Sequence, residues 1–377
     1  EELPLAYLSS EAVAQHIAAR FPVNRFPAQL AGLIHERTDG NPLFMVNTID
    51  HLIAERLIEA QEDAWELTAP IDTVKVGVPE SIRQLIEALL ERLDPRDQSI
   101  LEAASVAGTE FTVVAVSAAL NDERGDVDAR CEALCRHRQF IKECVTELLP
   151  SGQPVGRFAF VHAVYRHVLY ERISASRRVQ LHRRVGERGE QVYGARAHEI
   201  AAELAMHFER AADHDRAVRY FRQAAVNALR RSAYREAIAL VRRALELIAT
   251  LPDTDQRARQ ELWLRITLGV PLIAIEGYAS PEVERVYLSA RALCERLGPT
   301  PEISQVLWGL WVFHALKAEL STALDTAGEF LRLRLAGCRH PGVAMRGHWA
   351  MEITSTHQGN FGTALEHFEK GLPLYDP

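Results

Sequence analysis

The chain holds five cysteines and fifteen histidines, and their spacing limits the chemistry open to it. Cys131 and Cys135 lie four residues apart with His137 nearby, so a helix through them would put two thiols on one face, as a metal site needs. Zinc sites of that kind show a second ligand pair at a telling spacing, and none follows. Cys131, Leu134, Cys135 and Arg138 read instead as a packing stripe, the usual place for a free cysteine. With Cys144, Cys294 and Cys338 the set is odd and scattered, which suits reduced thiols rather than a disulfide framework. No Gly-x-Ser-x-Gly elbow occurs, so serine hydrolysis is excluded. A phosphate-cradling loop needs a glycine-rich turn followed by Lys and Ser or Thr. The four lysines, Lys75, Lys142, Lys317 and Lys370, follow no such turn, and no apolar strand ends in paired acids for magnesium. The expectation is a chain that catalyses nothing alone.

Two positions keep chemical interest. In Thr38-Asp39-Gly40-Asn41-Pro42-Leu43-Phe44, Gly40 suits a left-handed helix C-cap and Pro42 the first turn of the next helix. Asn41, before proline, is pushed out of the helical region. A fixed, kinked corner is predicted. His162 follows Arg157-Phe158-Ala159-Phe160-Val161, where alternation puts both phenylalanines on one face and the imidazole at a strand-to-helix junction. Such a ring can donate to a phosphate oxygen, or it can cap the helix and be satisfied by backbone carbonyls.

Elements that position these residues can be read from periodicity and caps. A Ser-capped helix begins at Ser9-Ser10, a second runs from about Pro27 to Thr38, and a third follows Leu43. Residues 58 to 68 read as a hairpin around Glu62-Asp63 that joins this block to the next. That next module opens at Val78-Pro79-Glu80, with Ile82, Leu85, Ile86, Leu89 and Leu90 at helical spacing. Asp94-Pro95 caps a second helix to Gly108, Phe111-Thr112 starts a third, and a fourth spans about Val127 to Arg138. Two strands, Phe140 to Leu149 and Arg157 to Val161, flank the Pro150-Ser151-Gly152-Gln153-Pro154 turn. The basic helix from Ser176 to Arg188 keeps a packing stripe in Val179, Leu181 and Val185 and offers no base-reading face. From about Ala195, small and large apolar residues recur in the tetratricopeptide manner, as in Leu204, Phe208, Ala217, Phe221 and Ala224.

The three-helix block with Gly40-Asn41-Pro42-Leu43-Phe44 at its bend resembles the helical lid of AAA-like signal-transduction ATPases with numerous domains, the STAND class, in the branch with tetratricopeptide-like repeats. The Phe158-x-Phe160-x-His162 stretch, followed by Arg166 and Tyr170, is similar to a recurring signature of that branch. The resemblance implies that Gly40 and Pro42 pack against the adenine of a nucleotide and that His162 faces its phosphates in the closed state. It also implies ATP or ADP as cofactor of a full-length parent, not held tightly by this chain alone. The P-loop domain would lie elsewhere in the same chain, and the output domain would be a nucleotide cyclase or a DNA-binding unit.

The expected fold is mainly α: a helical lid over 1–57, a hairpin linker over 58–78, a winged-helix-like domain with a small β wing over 79–192, and a tetratricopeptide-like α-solenoid over 193–377. A net charge of −8 and a pI near 6.0 argue against nucleic acid or an anionic membrane as the main partner. No long apolar run or signal peptide appears, so a cytoplasmic setting is expected. A protein or peptide partner is expected on the repeats, most of whose aromatics, Trp308, Trp311, Phe313 and Trp349, serve packing. Homo-oligomerisation is expected on activation. The start at Glu1 and the stop at Leu374-Tyr375-Asp376-Pro377 suggest a segment of a longer protein. The alternative is a tetratricopeptide-like interaction scaffold with no nucleotide role.

Overall fold

Ser9 caps the first helix by accepting the Ala12 N–H at 3.2 Å, and Asp94, Thr112, Asp213, Thr254 and Ser280 cap later helices in the same way. The computed structural model describes residues 7–38, 40–61, 64–71, 80–136, 140–298, 300–335 and 341–374. Asp39, the Glu62-Asp63 turn, Val78-Pro79, His137, Arg138, Cys338 and residues 375–377 fall outside these. The chain is mainly helical with small antiparallel sheets, in two compact units, Glu1–Gly194 and Ala195–Pro377. Among the described residues no helix is long and apolar enough to cross a membrane.

The first unit opens with α1 (Ser10–Arg20), α2 (Gln29–Thr38) and α3 (Pro42–Ala54), followed by the antiparallel pair β1 (Ile58–Gln61) and β2 (Ala64–Leu67). The hairpin does more than connect. Ile58 is buried in one core with Val13, Ile17, Leu30, Ile34 and Ile49, and Trp65 lies against Phe21 with ring centroids 5.0 Å apart. Its backbone also pairs with the loop after α1, Trp65 N–H to Val23 C=O and Arg25 N–H to Trp65 C=O, both at 2.9 Å.

The remainder of this unit comprises α4 (Glu80–Leu90), α5 (Pro95–Ala107), β3 (Glu110–Thr112), α6 (Val113–Leu120), α7 (Arg124–Arg136), β4 (Ile141–Glu143), β5 (Glu147–Leu148), β6 (Pro154–Val155), β7 (Arg157–Phe160), α8 (Ala163–Arg172) and α9 (Ala175–Tyr193). Asp94 caps α5 as its sequence implies, accepting the Arg96 N–H at 2.8 Å. Phe111-Thr112 leads into the third helix, with Thr112 as its cap, but is itself extended. It forms β3, with Phe111 opposite Phe158 on β7, and α6 begins only after Thr112, whose hydroxyl accepts the Ala115 N–H at 3.3 Å. The expected strand from Phe140 to Leu149 is likewise broken into β4 and β5. β7 is thereby the centre of a three-stranded sheet, order β3-β7-β4, while β5 and β6 form a separate ribbon closed by Gly152 at φ +79°.

In the second unit follow α10 (Ala201–Arg210), α11 (His214–Arg230), α12 (Tyr234–Ile248), α13 (Asp255–Glu276), α14 (Pro281–Leu297), α15 (Ile303–Leu316), α16 (Leu320–Leu335), α17 (Pro341–His357) and α18 (Phe361–Gly371). Each packs on the next, and α11, α13, α15 and α17 also touch one another in turn. Small residues permit close approach: Ala217, Ala225, Ala228, Ala237 and Ala244 are fully buried, so α11 is gripped by both neighbours. Tyr287 on α14 has the tightest fit, its ring lying between Gly269 on α13 and Gly309 on α15. A Cβ at Gly269 would fall 2.4 Å from the Tyr287 hydroxyl oxygen and one at Gly309 2.3 Å from its ring. Trp311 and Phe313 are buried, whereas Trp349 is half exposed and stacks on Trp308, centroids 5.7 Å apart. Along α18, Phe361, Leu365 and Phe368 share an exposed stripe that Leu372 continues just past the helix end.

Gly309→Ala is expected to destabilise this unit by about 2 kcal/mol, roughly 4–8 °C in Tm, by overpacking against Tyr287. Gly328→Ala in α16, whose new methyl would meet only Arg332 Nη1 at 3.4 Å, should be neutral or stabilising. Equal Tm values for the two variants in thermal melts would contradict the clasp.

Candidate functional site

At the bend between α2 and α3, Thr38 ends the helix with its hydroxyl donating to Ile34 C=O at 2.8 Å. The Asn41 N–H returns to Thr38 C=O at 2.8 Å, and the Asn41 side chain accepts the Phe44 N–H at 3.3 Å, capping α3. Gly40 is buried with φ +71°, where only glycine is free of strain. Its C=O accepts the Leu8 N–H at 2.8 Å, and a Cβ here would lie 2.0 Å from Leu8 O. Backbone conformation and space thus both exclude a side chain. Pro42 is the exposed first residue of α3, its missing N–H costing nothing there.

Strand β7 delivers His162 to this corner. The strand is held on both sides, and the Val161 N–H donates to Phe140 C=O at 2.8 Å just before the histidine. His162 is 1% exposed. Its Nδ1 accepts the Val164 N–H at 3.3 Å, capping α8, so the ring proton sits on Nε2, which donates to Thr38 C=O. That carbonyl therefore receives two donors, Asn41 N–H and His162 Nε2–H, one for each lone pair. Phe44 presses edge-on against the imidazole at 4.7 Å between centroids, with Tyr7 at 6.3 Å and Tyr165 at 6.4 Å. Burial raises the Tyr165 phenol above its ordinary range.

Gly40, Pro42 and His162 thus share one corner of the first unit. Both ring nitrogens of His162 have backbone partners, the arrangement of a capping histidine, so a phosphate oxygen would have to displace Thr38 C=O to reach Nε2–H. Arg166 donates from Nε to Ser105 C=O at 3.1 Å in the last turn of α5. Sequence reasoning did not single out Thr38, Leu8 or Phe44 as partners of the corner. Phe44 had a signal: it follows the proline by two positions, on the face of α3 that leaves the core shared with α1 and α2 and enters the core around α5 and α8.

Cys131 and Leu134 are buried in that second core and Cys135 lies at its edge. Burial pushes the Cys131 thiol up to about 12 and the Cys135 thiol up to about 11. Among the described residues, no three His, Cys, Asp or Glu side chains converge to hold a metal. On the basic helix, Leu181 and Val185 are buried, and so is His182, whose Nε2 meets the Tyr170 hydroxyl at 3.0 Å.

The family described as Domain of unknown function (DUF8739) matches residues 9–65, the stretch from the α1 cap into β2. An uncharacterized protein of Rhizobium meliloti (strain 1021) is 27% identical over 390 residues, covering 99% of this chain and 35% of that protein. The chain therefore spans about a third of the length of the curated relative it matches. Among solved structures, BtubC (BKLC) from P. vanneervenii is similar with 16% identity and a TM-score of 0.42, over 56% of this chain and 88% of that one. The Signal Transduction ATPase with Numerous Domains (STAND) protein with a tetratricopeptide repeat sensor from Pyrococcus horikoshii gives 15% identity and a TM-score of 0.32, over 98% and 54%.

His162→Asn is expected to keep the α8 cap, since Asn serves well at that position, but to be too short for Thr38 C=O. Amide exchange should quicken at Asn41 and Phe44 while α9 stays protected; unchanged protection at the corner would deny a structural role for the His162–Thr38 hydrogen bond. A second expectation concerns the thiols. Their raised values mean that the folded state holds protons the unfolded state has lost, so this contribution to stability is complete below the ordinary thiol range and declines as the pH climbs towards about 11 to 12. At about pH 8, iodoacetamide should modify Cys131 only after denaturation.

Proposed function

We propose that this chain is the regulatory portion of a nucleotide-controlled signalling switch of the STAND type. The observation that carries the reading is the hydrogen bond from His162 to Thr38 C=O. It links the corner between α2 and α3 to the start of α8, so a ligand seated at the corner and the packing of β7 and α8 can bias each other. In this reading α1–α3 act as a lid, α4–α9 with their sheet form a winged-helix-like unit with the β5–β6 ribbon as wing, and α10–α18 are tetratricopeptide-like sensor repeats. Gly40 and Pro42 offer an adenine-facing backbone. His162 exchanges Thr38 C=O for a phosphate oxygen when ADP and the P-loop domain of the parent chain complete the pocket.

Partner binding to the repeats favours the open state in proportion to its unequal affinity for the two states. Hydrolysis, where it occurs, belongs to the parent, as does the cyclase or DNA-binding output. The setting is cytoplasmic, and opening exposes surfaces for self-association. Nucleic acid is not a direct partner of this segment. A second reading, an interaction scaffold without nucleotide, is favoured by the backbone partners already present at both ring nitrogens of His162.

The parent protein with its P-loop region separates the two. Purified without added nucleotide, it should retain ADP, measurable by extraction and chromatography. His162→Asn should weaken retention about tenfold or more, as expected when a charged oxygen loses a donor. Equal retention by the variant would reject the contact assigned to His162, and a parent that holds and binds no nucleotide would leave the scaffold.

A further inference from the structure

Helices α17 and α18 pack on each other, and at that contact His348 and His367 meet Nδ1 to Nδ1 at 3.0 Å. Both rings are half-buried, so the pair keeps a side open to water. Gly371, one turn beyond His367, lets the helices come close here: a Cβ on it would fall 3.2 Å from the His348 Cβ. Two imidazole nitrogens can meet in this way only if one holds a proton and the other a lone pair, so the rings share a single hydrogen. Their centroids are 5.2 Å apart, close to the nitrogen separation plus two ring radii, so the N–H points nearly straight at the lone pair.

Burial first and the Lys370 ammonium second hold His367 below the ordinary imidazole range, against the opposite pull of Glu366, which is itself paired with Lys370. At neutral pH His367 therefore offers a lone pair rather than a charge, the form a metal ion binds. With metal–nitrogen bonds of about 2.0–2.1 Å, two imidazole nitrogens stand about 2.9 Å apart at right angles and about 3.3 Å apart at the tetrahedral angle. The 3.0 Å between these two fits the right-angled positions preferred by Cu²⁺ and Ni²⁺ better than the tetrahedron of zinc. Each ring has to swing about its Cβ–Cγ bond until both lone pairs converge beside the N–N line, and that torsion is broad. Among the described residues no third His, Cys, Asp or Glu joins the pair, so water fills the remaining positions.

We propose that His348 and His367 form a two-histidine site for a divalent copper or nickel ion, which takes the place of the shared hydrogen and ties α18 to α17. The donor ring gives its Nδ1 proton to water and takes one up on Nε2, so both Nδ1 lone pairs reach the ion and no net proton is released. The two ligands come from different helices, so the bound ion stabilises their packing by mass action. This goes beyond the switch reading and does not rest on it.

The test uses this chain, stripped of metal with EDTA and dialysed, and titrated with nickel chloride by calorimetry at about pH 8, above the ordinary imidazole range. One ion per chain should bind saturably and raise the Tm, and EDTA should reverse the rise. His348→Gln and His367→Gln should each weaken binding by about tenfold or more, while circular dichroism in EDTA shows both variants folded. His214→Gln, on α11, should change nothing. With Cu²⁺, electron paramagnetic resonance should show coupling to two imidazole nitrogens, falling to one in either variant. Equal binding by the two variants, several weakly held ions in place of one, or a Tm that nickel leaves unchanged would each overturn the site. So would a chain that binds no ion but loosens between α17 and α18 as the pH falls from about 7 to 5, since the pair would then be a proton-sharing tie alone.

Discussion

One carbonyl organises the first unit. Thr38 C=O closes the turn through Asn41 N–H and also receives the Nε2–H of His162, so the end of α2 and the start of α8 are held through a single acceptor. Both donors need Gly40 in its left-handed conformation, because only then does the chain reverse tightly enough for Pro42 to begin α3. Once α3 leaves at that angle, its residues divide: Met45, Ile49 and Leu52 enter the core shared with α1 and α2, and Phe44 enters the core beside His162. A buried polar contact at the seam of two apolar cores is strong because water is excluded, and costly to break for the same reason.

The second unit works by a different constraint. Its helices settle according to how closely small residues let them approach. Tyr287 shows this most clearly, since its ring takes the space that side chains at Gly269 and Gly309 would need. The ion pairs along the outside, such as Arg242 with Glu282 at 2.7 Å and Arg296 with Asp253 at 2.8 Å, are exposed and add little to that packing.

Much of this was legible from the residues themselves. Ser9, Asp94, Gly40 and Pro42 act on their immediate neighbours, so the helix boundaries they set can be read without knowing the fold. Ala217, Phe221 and Ala224 declared a buried face by spacing alone. What escaped was decided by distant partners. Phe111-Thr112 is a strand only because β7, more than forty residues later, lies alongside it. The break between β4 and β5 follows from the same sheet. The meeting of His162 with Thr38 crosses 124 positions, and no periodicity encodes such a contact. The hairpin's place in the core of α1–α3 was hidden for a similar reason: Trp65 looks like half of a connector until Phe21 is set against it.

A carbonyl that accepts two hydrogen bonds in a dry setting is polarised beyond its neighbours, and its double bond is correspondingly softened. The Thr38 stretch should therefore absorb at lower infrared frequency than the other amides of α2. An isotope label at that one atom would make the junction of α2 and α8 visible as a vibration, rising in frequency whenever the imidazole lets go.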